Sequence, residues 1–188
     1  MRIISGSAKG KNLLNPVNKK TRPLKDMVRE SIFNILNHST IFPIKLEECT
    51  VLDLFSGIGS FGLEAISRGA KEVVFFENYK PTVKLLLKNI DNLEFSKKVK
   101  VYNESIYTKN IFEKIKKNFN IIFLDPPYRD KNINITLENL FSSKLLNSNT
   151  LIIIHRHIKT FDKFEKNLKI SRQEIYGSSK ILFGYFNI

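Results

Sequence analysis

The fold is decided by the stretch VLDLFSGIGSFG, which occupies residues 51–62. Its apolar beginning predicts a buried strand, and the residues that follow predict a helix near 60–68. Between them lies the spacing Gly57-x-Gly59-x-x-Gly62. Because glycine permits tight turns and lets a ligand approach the main chain, this spacing is typical of a strand–turn–helix unit that binds a nucleotide-like cofactor.

Outward from this stretch, strands and helices alternate along the chain. Strands are predicted at about 50–55, 72–76, 99–103, 120–124 and 149–154, and helices near 60–68, 80–93, 107–117 and 133–142. A closing antiparallel pair is predicted at 168–176 and 181–187, and a short hairpin at 2–14 precedes an amphipathic helix at 26–36. Such alternation predicts an α/β fold with a mostly parallel sheet and helices on both faces.

Acidic residues lie at the predicted strand ends nearest the glycines. Asp53 comes just before the turn, and Glu77 ends the second strand about twenty residues later, where a ribose diol would be held. The same geometry could serve NAD or S-adenosylmethionine. A carboxylate at Asp53 would repel a pyrophosphate but attract the ammonium group of S-adenosylmethionine, so the sequence favours the latter.

A second motif, Asp125-Pro126-Pro127-Tyr128, follows the apolar run 121–124. The prolines fix φ and remove backbone donors, which leaves a rigid loop. The carboxylate of Asp125 and the carbonyl of Pro126 offer two acceptors, and Tyr128 offers a stacking surface. This combination suits a planar group that carries an exocyclic amine, so these four residues are the predicted catalytic residues.

The two motifs resemble those of class I methyltransferases that modify exocyclic amino nitrogens. The segments RIISGSAKGK (2–11) and TRPLKDMVRESIFNIL (21–36) narrow the resemblance to the bacterial 16S ribosomal RNA guanine-N2 methyltransferases. The resemblance implies a Rossmann-like, seven-stranded sheet with a small hairpin and helix extension at the amino terminus. We expect a single methyltransferase domain over 1–188, with a basic extension at 1–40 and the catalytic core at 41–188.

The resemblance further implies S-adenosyl-L-methionine as cofactor and 16S ribosomal RNA, or small ribosomal subunit particles, as partner. An adenine contact is expected after the third strand, at Ser105 or its neighbour Glu104. The predicted cofactor-binding residues are Asp53, Phe55, Ser56, Gly57, Gly59, Glu77, Ser105 and Asp125.

Charge agrees with a polyanionic partner, since 31 basic against 18 acidic residues give a net charge of +13. Part of this excess could reflect a chain rich in Lys, Asn and Ile. The predicted RNA contacts lie in the amino-terminal extension, with Lys19 and Lys20 widening the same basic surface. They are Arg22, Lys25, Arg29, Lys9 and Lys11.

Other features predict little further chemistry. The single cysteine, Cys49, excludes a disulfide framework and is expected to pack at the start of the first strand. We expect His155 and His157 to face substrate or phosphate, and no metal site, because no acid or cysteine lies nearby in the sequence. Neither a signal peptide nor a membrane-spanning stretch is predicted, so we expect a cytoplasmic monomer.

Three other functions remain open from the sequence. A DNA adenine methyltransferase would keep both motifs but normally needs a separate target-recognition domain. A protein-glutamine methyltransferase would use a similar loop without a basic extension. A non-enzymatic RNA-binding assembly factor would keep the charge and the fold, although intact Asp53, Glu77 and Asp125 argue against it. A nicotinamide oxidoreductase fits least well.

Overall fold

The computed structural model describes residues 1–16, 24–164 and 166–188. Four α-helices lie in this part of the chain: α1 (Asp26–His38), α2 (Ser60–Ser67), α3 (Lys80–Asn92) and α4 (Ile133–Phe141). The strands are β1 (Thr50–Leu54), β2 (Glu72–Phe76), β3 (Val99–Tyr102), β4 (Ile121–Leu124), β5 (Leu151–His157), β6 (Leu168–Tyr176) and β7 (Ser179–Phe186).

The seven strands form one sheet in the order β3-β2-β1-β4-β5-β7-β6. The first five are parallel to one another, whereas β7 runs antiparallel to both β5 and β6. The predicted α/β class, the mostly parallel seven-stranded sheet and the closing antiparallel pair are therefore confirmed.

Continuous apolar sequence explains why the central strands are covered on both faces. Alternate side chains of β1 and β4 enter two separate core clusters, as Val51 and Leu52 illustrate. The cluster around Val51 also contains apolar residues of α1, α2 and α3, while the cluster around Leu52 contains those of α4. Ile3 packs in the first cluster, so the amino-terminal segment shares a core with the sheet.

The predicted helix at 107–117 was wrong, because only Ile111–Lys114 form one short 3-10 turn. Asn110 adopts a left-handed conformation with φ of 58°, and Ile115 is already extended. A single turn suffices to bury Ile111 and Phe112 in the second core cluster, so no longer helix is needed there.

The predicted hairpin at 2–14 is confirmed in a shortened form, with one antiparallel bridge between Arg2 and Asn12. The amides of Ile3, Gly10 and Leu13 donate across it to Lys11 O, Ile3 O and Met1 O at 2.9, 2.9 and 3.0 Å. Other backbone donors of this segment meet side chains of α2. The amides of Ile4 and Ser5 donate to the Glu64 carboxylate at 2.8 and 3.0 Å. Gly6 lies so close to α2 that a Cβ atom would come within 1.8 Å of a backbone oxygen. Hydrogen bonds between its two arms and contacts with α2 therefore hold this segment together.

Candidate active site

The site lies where the strand order changes direction, between β1 and β4. In open α/β sheets the crevice at this point, at the carboxyl ends of the strands, is where ligands bind. The structure brings the two motifs together there: Leu54 pairs with Leu124, so the glycine-rich turn and Asp125 emerge side by side. Asp53, Glu77 and Asp125 all lie at this edge, as the sequence predicts.

The glycine-rich turn has the backbone that a close-fitting ligand requires. Phe55, Gly57 and Gly59 all have positive φ, at 60°, 56° and 84°. A Cβ atom at Gly57 would meet nothing within 4 Å, whereas one at Gly62 would lie 2.3 Å from the ring of Phe75. Gly57 thus faces open space, while Gly62 allows α2 to pack tightly on β2. Ser56 anchors the turn through its amide, which donates to Phe76 O at 2.9 Å.

Asp53 is an acid buried without a cation among the described residues. It is 1% exposed, and its Oδ2 accepts the Gly62 amide at 3.0 Å. Its Oδ1 has no hydrogen-bond partner in the described part of the chain. Burial raises the pKa of Asp53 well above its ordinary value, the Gly62 hydrogen bond opposes this, and the nearby Asp125 and Glu77 raise it further. A ligand ammonium group would satisfy this carboxylate.

Glu77 holds the turn from the end of β2. Its Oε2 accepts the Gly57 amide at 2.9 Å, and its Oε1 accepts the Tyr79 amide at 2.8 Å. Each carboxylate oxygen can accept a second hydrogen bond, so Glu77 can still hold ribose hydroxyls. Together, the open face of Gly57, the unpartnered oxygen of Asp53 and Glu77 fit an amino-acid head joined to a nucleoside.

Past β3, the two candidates for the adenine contact differ in their partners. Ser105 Oγ accepts the Tyr107 amide at 3.3 Å, and Glu104 forms an ion pair with Lys114. Both residues are partly buried. The assignment of Ser105 to the adenine stays a prediction.

Asp125 contacts His155, a residue that the sequence analysis expected to face substrate or phosphate. Its Oδ1 lies 2.7 Å from His155 Nδ1, and His155 Nε2 lies 2.9 Å from Ser179 Oγ. If the Ser179 hydroxyl donates to Nε2, a neutral imidazole presents its N–H to Asp125. His155 is 4% exposed, so the expectation that it faces substrate or phosphate was wrong. The signal was the pairing of Leu124 with Ile154, which sets Asp125 opposite His155.

Arg156, which the sequence analysis did not single out as a functional residue, fixes the loop behind Asp125. It is 1% exposed and donates from Nε and Nη2 to the two carboxylate oxygens of Asp162, both at 2.9 Å. Nη2 also donates to Asp130 O at 2.9 Å, and Nη1 lies 3.5 Å from Pro127 O. One guanidinium thus joins the Asp125–Tyr128 loop to the segment after β5. An arginine in an apolar strand was the available signal.

Tyr128 borders a cavity of about 790 Å³ beside this loop. Its ring meets those of His155 and His157 edge-on, with centroids 6.1 and 5.3 Å apart. His157 is partly exposed and lines the cavity, as does Phe161. The Asp125–Tyr128 loop is therefore hydrogen-bonded on its buried side and open toward this cavity.

The predicted RNA contacts fall into three groups. Lys9, Lys11 and Lys25 are exposed and remain available to a polyanion. Arg29 is completely buried and donates to Asp26 Oδ1 at 3.0 Å, so its predicted role as an RNA contact was wrong. Arg22, like Lys19 and Lys20, lies outside the described residues.

Remaining features of the described residues are limited. Cys49 is buried at the start of β1, as predicted, and burial raises the pKa of its thiol to about 11. No group of three or more His, Cys, Asp or Glu side chains in the described ranges could hold a metal ion. No helix there has both the length and the apolar character to cross a membrane.

Comparison with known proteins identifies the family. The family model described as "Conserved hypothetical protein 95" matches residues 1–185. "Ribosomal RNA small subunit methyltransferase D" of Buchnera aphidicola is 33% identical, covering 92% of this chain and 86% of that protein. The protein of the same name from Haemophilus influenzae is 34% identical, covering 82% and 77%.

Solved structures agree with the fold. The Escherichia coli protein yhhF superposes with a TM-score of 0.83 at 28% identity, covering 99% of this chain and 97% of that one. An RNA methyltransferase from Salinibacter ruber, solved with S-adenosyl-L-homocysteine, has the same fold, with a TM-score of 0.63 at 17% identity and coverage of 89% and 95%. The chain belongs to the bacterial 16S ribosomal RNA methyltransferase family.

Proposed function

We propose that this protein transfers a methyl group from S-adenosyl-L-methionine to the exocyclic N2 amine of a guanine in 16S ribosomal RNA. The observation that carries the proposal is the Asp125–His155 hydrogen bond of 2.7 Å beside the glycine-rich turn. It places an oriented acceptor next to the cofactor crevice. Relatives named ribosomal RNA small subunit methyltransferase D support RNA as the substrate, and the guanine assignment rests on the sequence resemblance.

The residues of the cofactor crevice have distinct binding roles. Asp53 would hold the amino-acid head of the cofactor, Glu77 its ribose, and the turn around Gly57 its closest approach to the main chain. S-adenosyl-L-methionine, when bound, supplies an electrophilic methyl group. No general base of high strength is needed, since a methylated amine carrying an extra proton is acidic enough to lose it.

Asp125 performs the main chemical task of the protein. The lone pair of an exocyclic guanine amine is delocalised into the ring, which makes it a poor nucleophile. Asp125 and the Pro126 carbonyl would each accept one N–H and so direct the lone pair toward the methyl group. The carboxylate would also stabilise positive charge as it develops on nitrogen. Because His155 occupies one carboxylate oxygen, the other is left for the substrate.

The residues around Asp125 would orient the target base by restricting the position of the loop. Arg156 binds two carbonyls of the Asp125 loop region, and the prolines restrict its backbone. Tyr128 would stack on the target base. A base that is paired in a helix cannot reach this position, so the target guanine must be unpaired or flipped out. Holding both reactants in this geometry would account for much of the acceleration.

The test is transfer of labelled methyl from S-adenosyl-L-methionine to small-subunit RNA, free and in assembled particles, followed by nucleoside analysis. We expect N2-methylguanosine with the natural chain and none with Asp125→Asn, which should still bind the cofactor. Label on adenine would contradict the guanine assignment. Label only on protein or DNA would contradict RNA as substrate, and absence of cofactor binding would favour a non-enzymatic assembly factor.

A further inference from the structure

Phe161 is a large apolar side chain left almost entirely in solvent beside the catalytic loop. It is 96% exposed, more than any other large apolar residue of the described chain. It lines the same cavity as Tyr128 and His157. Exposing a whole phenyl ring forgoes the free energy that burial would provide, so its position calls for a physical explanation.

The segment that carries Phe161 is anchored on both sides of it. Asp162 is bound by Arg156 through two hydrogen bonds of 2.9 Å. Thr160 O accepts from Lys180 Nζ at 2.7 Å, and Lys163 O accepts from Asn134 Nδ2 at 2.8 Å. These contacts hold the backbone of 160–163 against β7 and α4. The ring is therefore presented outward by a fixed backbone.

Cationic side chains line the same cavity as this ring. Four exposed basic side chains line the cavity, and they are Arg129, Lys131, Lys159 and Lys163. The two acids of the lining among the described residues are already engaged, since Asp162 pairs with Arg156 and Asp130 accepts from the Tyr107 hydroxyl. The cavity thus combines an exposed aromatic ring with an excess of positive charge. This is the combination by which proteins bind single-stranded nucleic acid, through stacking and phosphate attraction.

We propose that Phe161 stacks on a base next to the target guanine, while Lys159 and Lys163 contact the flanking phosphates. The site would take one unpaired nucleotide of the substrate RNA, whatever its base, because every base offers a π-face. This inference rests on the proposed function, since it assumes an RNA substrate at Asp125. The positive rim favours RNA over a ribosomal protein as the occupant.

A single tryptophan can report on this contact directly. The chain contains no Trp, so Phe161→Trp introduces one fluorophore and preserves an aromatic ring. We expect oligoadenylate RNA to quench its fluorescence, with weaker quenching as salt increases. The matched control is Ile41→Trp, which places a tryptophan at a position 54% exposed and outside the cavity lining. Its fluorescence should change little.

Steady-state kinetics separate the stacking role of Phe161 from the methyl-transfer step. Phe161→Ala should raise KM for protein-free RNA about 5- to 150-fold, the range for loss of one stacked base, with kcat nearly unchanged. Phe161→Trp should restore KM. Lys159→Ala and Lys163→Ala should each reduce the slope of log affinity against log salt by about 1. Lys71 precedes β2, at the amino ends of the parallel strands, so Lys71→Ala should leave the slope unchanged.

The results of these experiments distinguish the Phe161 stacking site from the methyltransferase function on which it rests. An unquenched Phe161→Trp, or an unchanged KM in Phe161→Ala alongside normal methylation by the natural chain, overturns the stacking site alone. An effect of Phe161→Ala on assembled particles but not on free RNA would mean that the ring docks on a ribosomal protein, which also overturns it. Quenching by RNA without methylation of any RNA would instead overturn the proposed function.

Discussion

Arg29 and Arg156 are both completely buried, but they are held in different ways. Arg156 uses Nε, Nη1 and Nη2, and its partners are Asp162 and two backbone carbonyls. Arg29 donates only from Nη2, to Arg2 O and Asp26 Oδ1, while its Nε and Nη1 have no hydrogen-bond partner among the described residues. Burial lowers the pKa of Arg29, and the Glu64 and Asp26 carboxylates oppose this.

What each arginine connects explains the difference. Arg29 joins α1 to the amino-terminal segment and lies 3.6 Å from Glu64, which also binds Arg68 and two backbone amides. Arg156 joins two loops that border the cavity. A buried charge in the first setting holds the fold together, whereas a buried charge in the second fixes the loop that carries the proposed catalytic residues. Substitution should therefore affect stability in one case and turnover in the other.

Arg29→Met should have the largest effect on stability. Among the described residues, it leaves the Glu64 carboxylate with only Arg68 as a counter-charge in a buried site, and breaking such a network costs about 3 kcal/mol. For a chain of this size we expect the melting temperature to fall by roughly 6–12 °C. Urea unfolding would measure the loss, with the exposed neighbour Lys25→Ala as a control. Normal stability with weakened RNA binding would instead restore Arg29 as an RNA contact.

Arg156→Met should chiefly reduce turnover. Without the guanidinium, Asp162 and the carbonyls of Pro127 and Asp130 can turn to water, so the fold loses less than in Arg29→Met. Displacement of the Asp125 loop by about 1 Å would lower kcat/KM about 100-fold. Steady-state kinetics and urea unfolding should be measured on the same preparations.

The double variant Arg156→Met/Asp162→Asn refines this second case. If Arg156 acts through Asp162, the two substitutions together should cost little more than Arg156→Met alone. Full additivity, or a loss of stability as large as that of Arg29→Met, would contradict the contrast between the two arginines.

How far the sequence predicts this molecule depends on how local the signal is. Apolar runs that end in Asp53, Glu77 and Asp125 predicted the strands and their common edge, because parallel strands bring their carboxyl ends together. Arg29 was misplaced although it lies three residues before Ile32 and four before Phe33, on the apolar face of α1. The buried acid beside Arg29 is Glu64, which lies on α2, far away in the sequence. No local sequence pattern reveals that contact.

His155→Ala should have a smaller effect and act through Asp125. Loss of the 2.7 Å contact frees the carboxylate to rotate, and we expect kcat to fall about 10-fold, or about 1.4 kcal/mol in the barrier. KM for S-adenosyl-L-methionine should not change. His155→Gln, which keeps an N–H donor, should recover part of kcat. A change in cofactor KM with normal kcat would place His155 in cofactor binding instead of in the positioning of Asp125.

Asp53 extends the comparison to a buried acid that has no cationic partner among the described residues. Asp53→Asn should give the smallest change, a gain in stability of the cofactor-free protein. Because burial raises its pKa in the folded state, the stabilising contribution of Asp53 is complete below the unfolded value of about 3.9 and is lost as pH rises through the folded value. At neutral pH the variant should therefore be more stable, by about 1 kcal/mol. Its advantage should shrink as the pH approaches 4.

Isothermal titration should show weaker binding of S-adenosyl-L-methionine to Asp53→Asn, since Asn cannot neutralise the ammonium group. Equal cofactor affinity in the two proteins would mean that Asp53 only supports the glycine turn through Gly62.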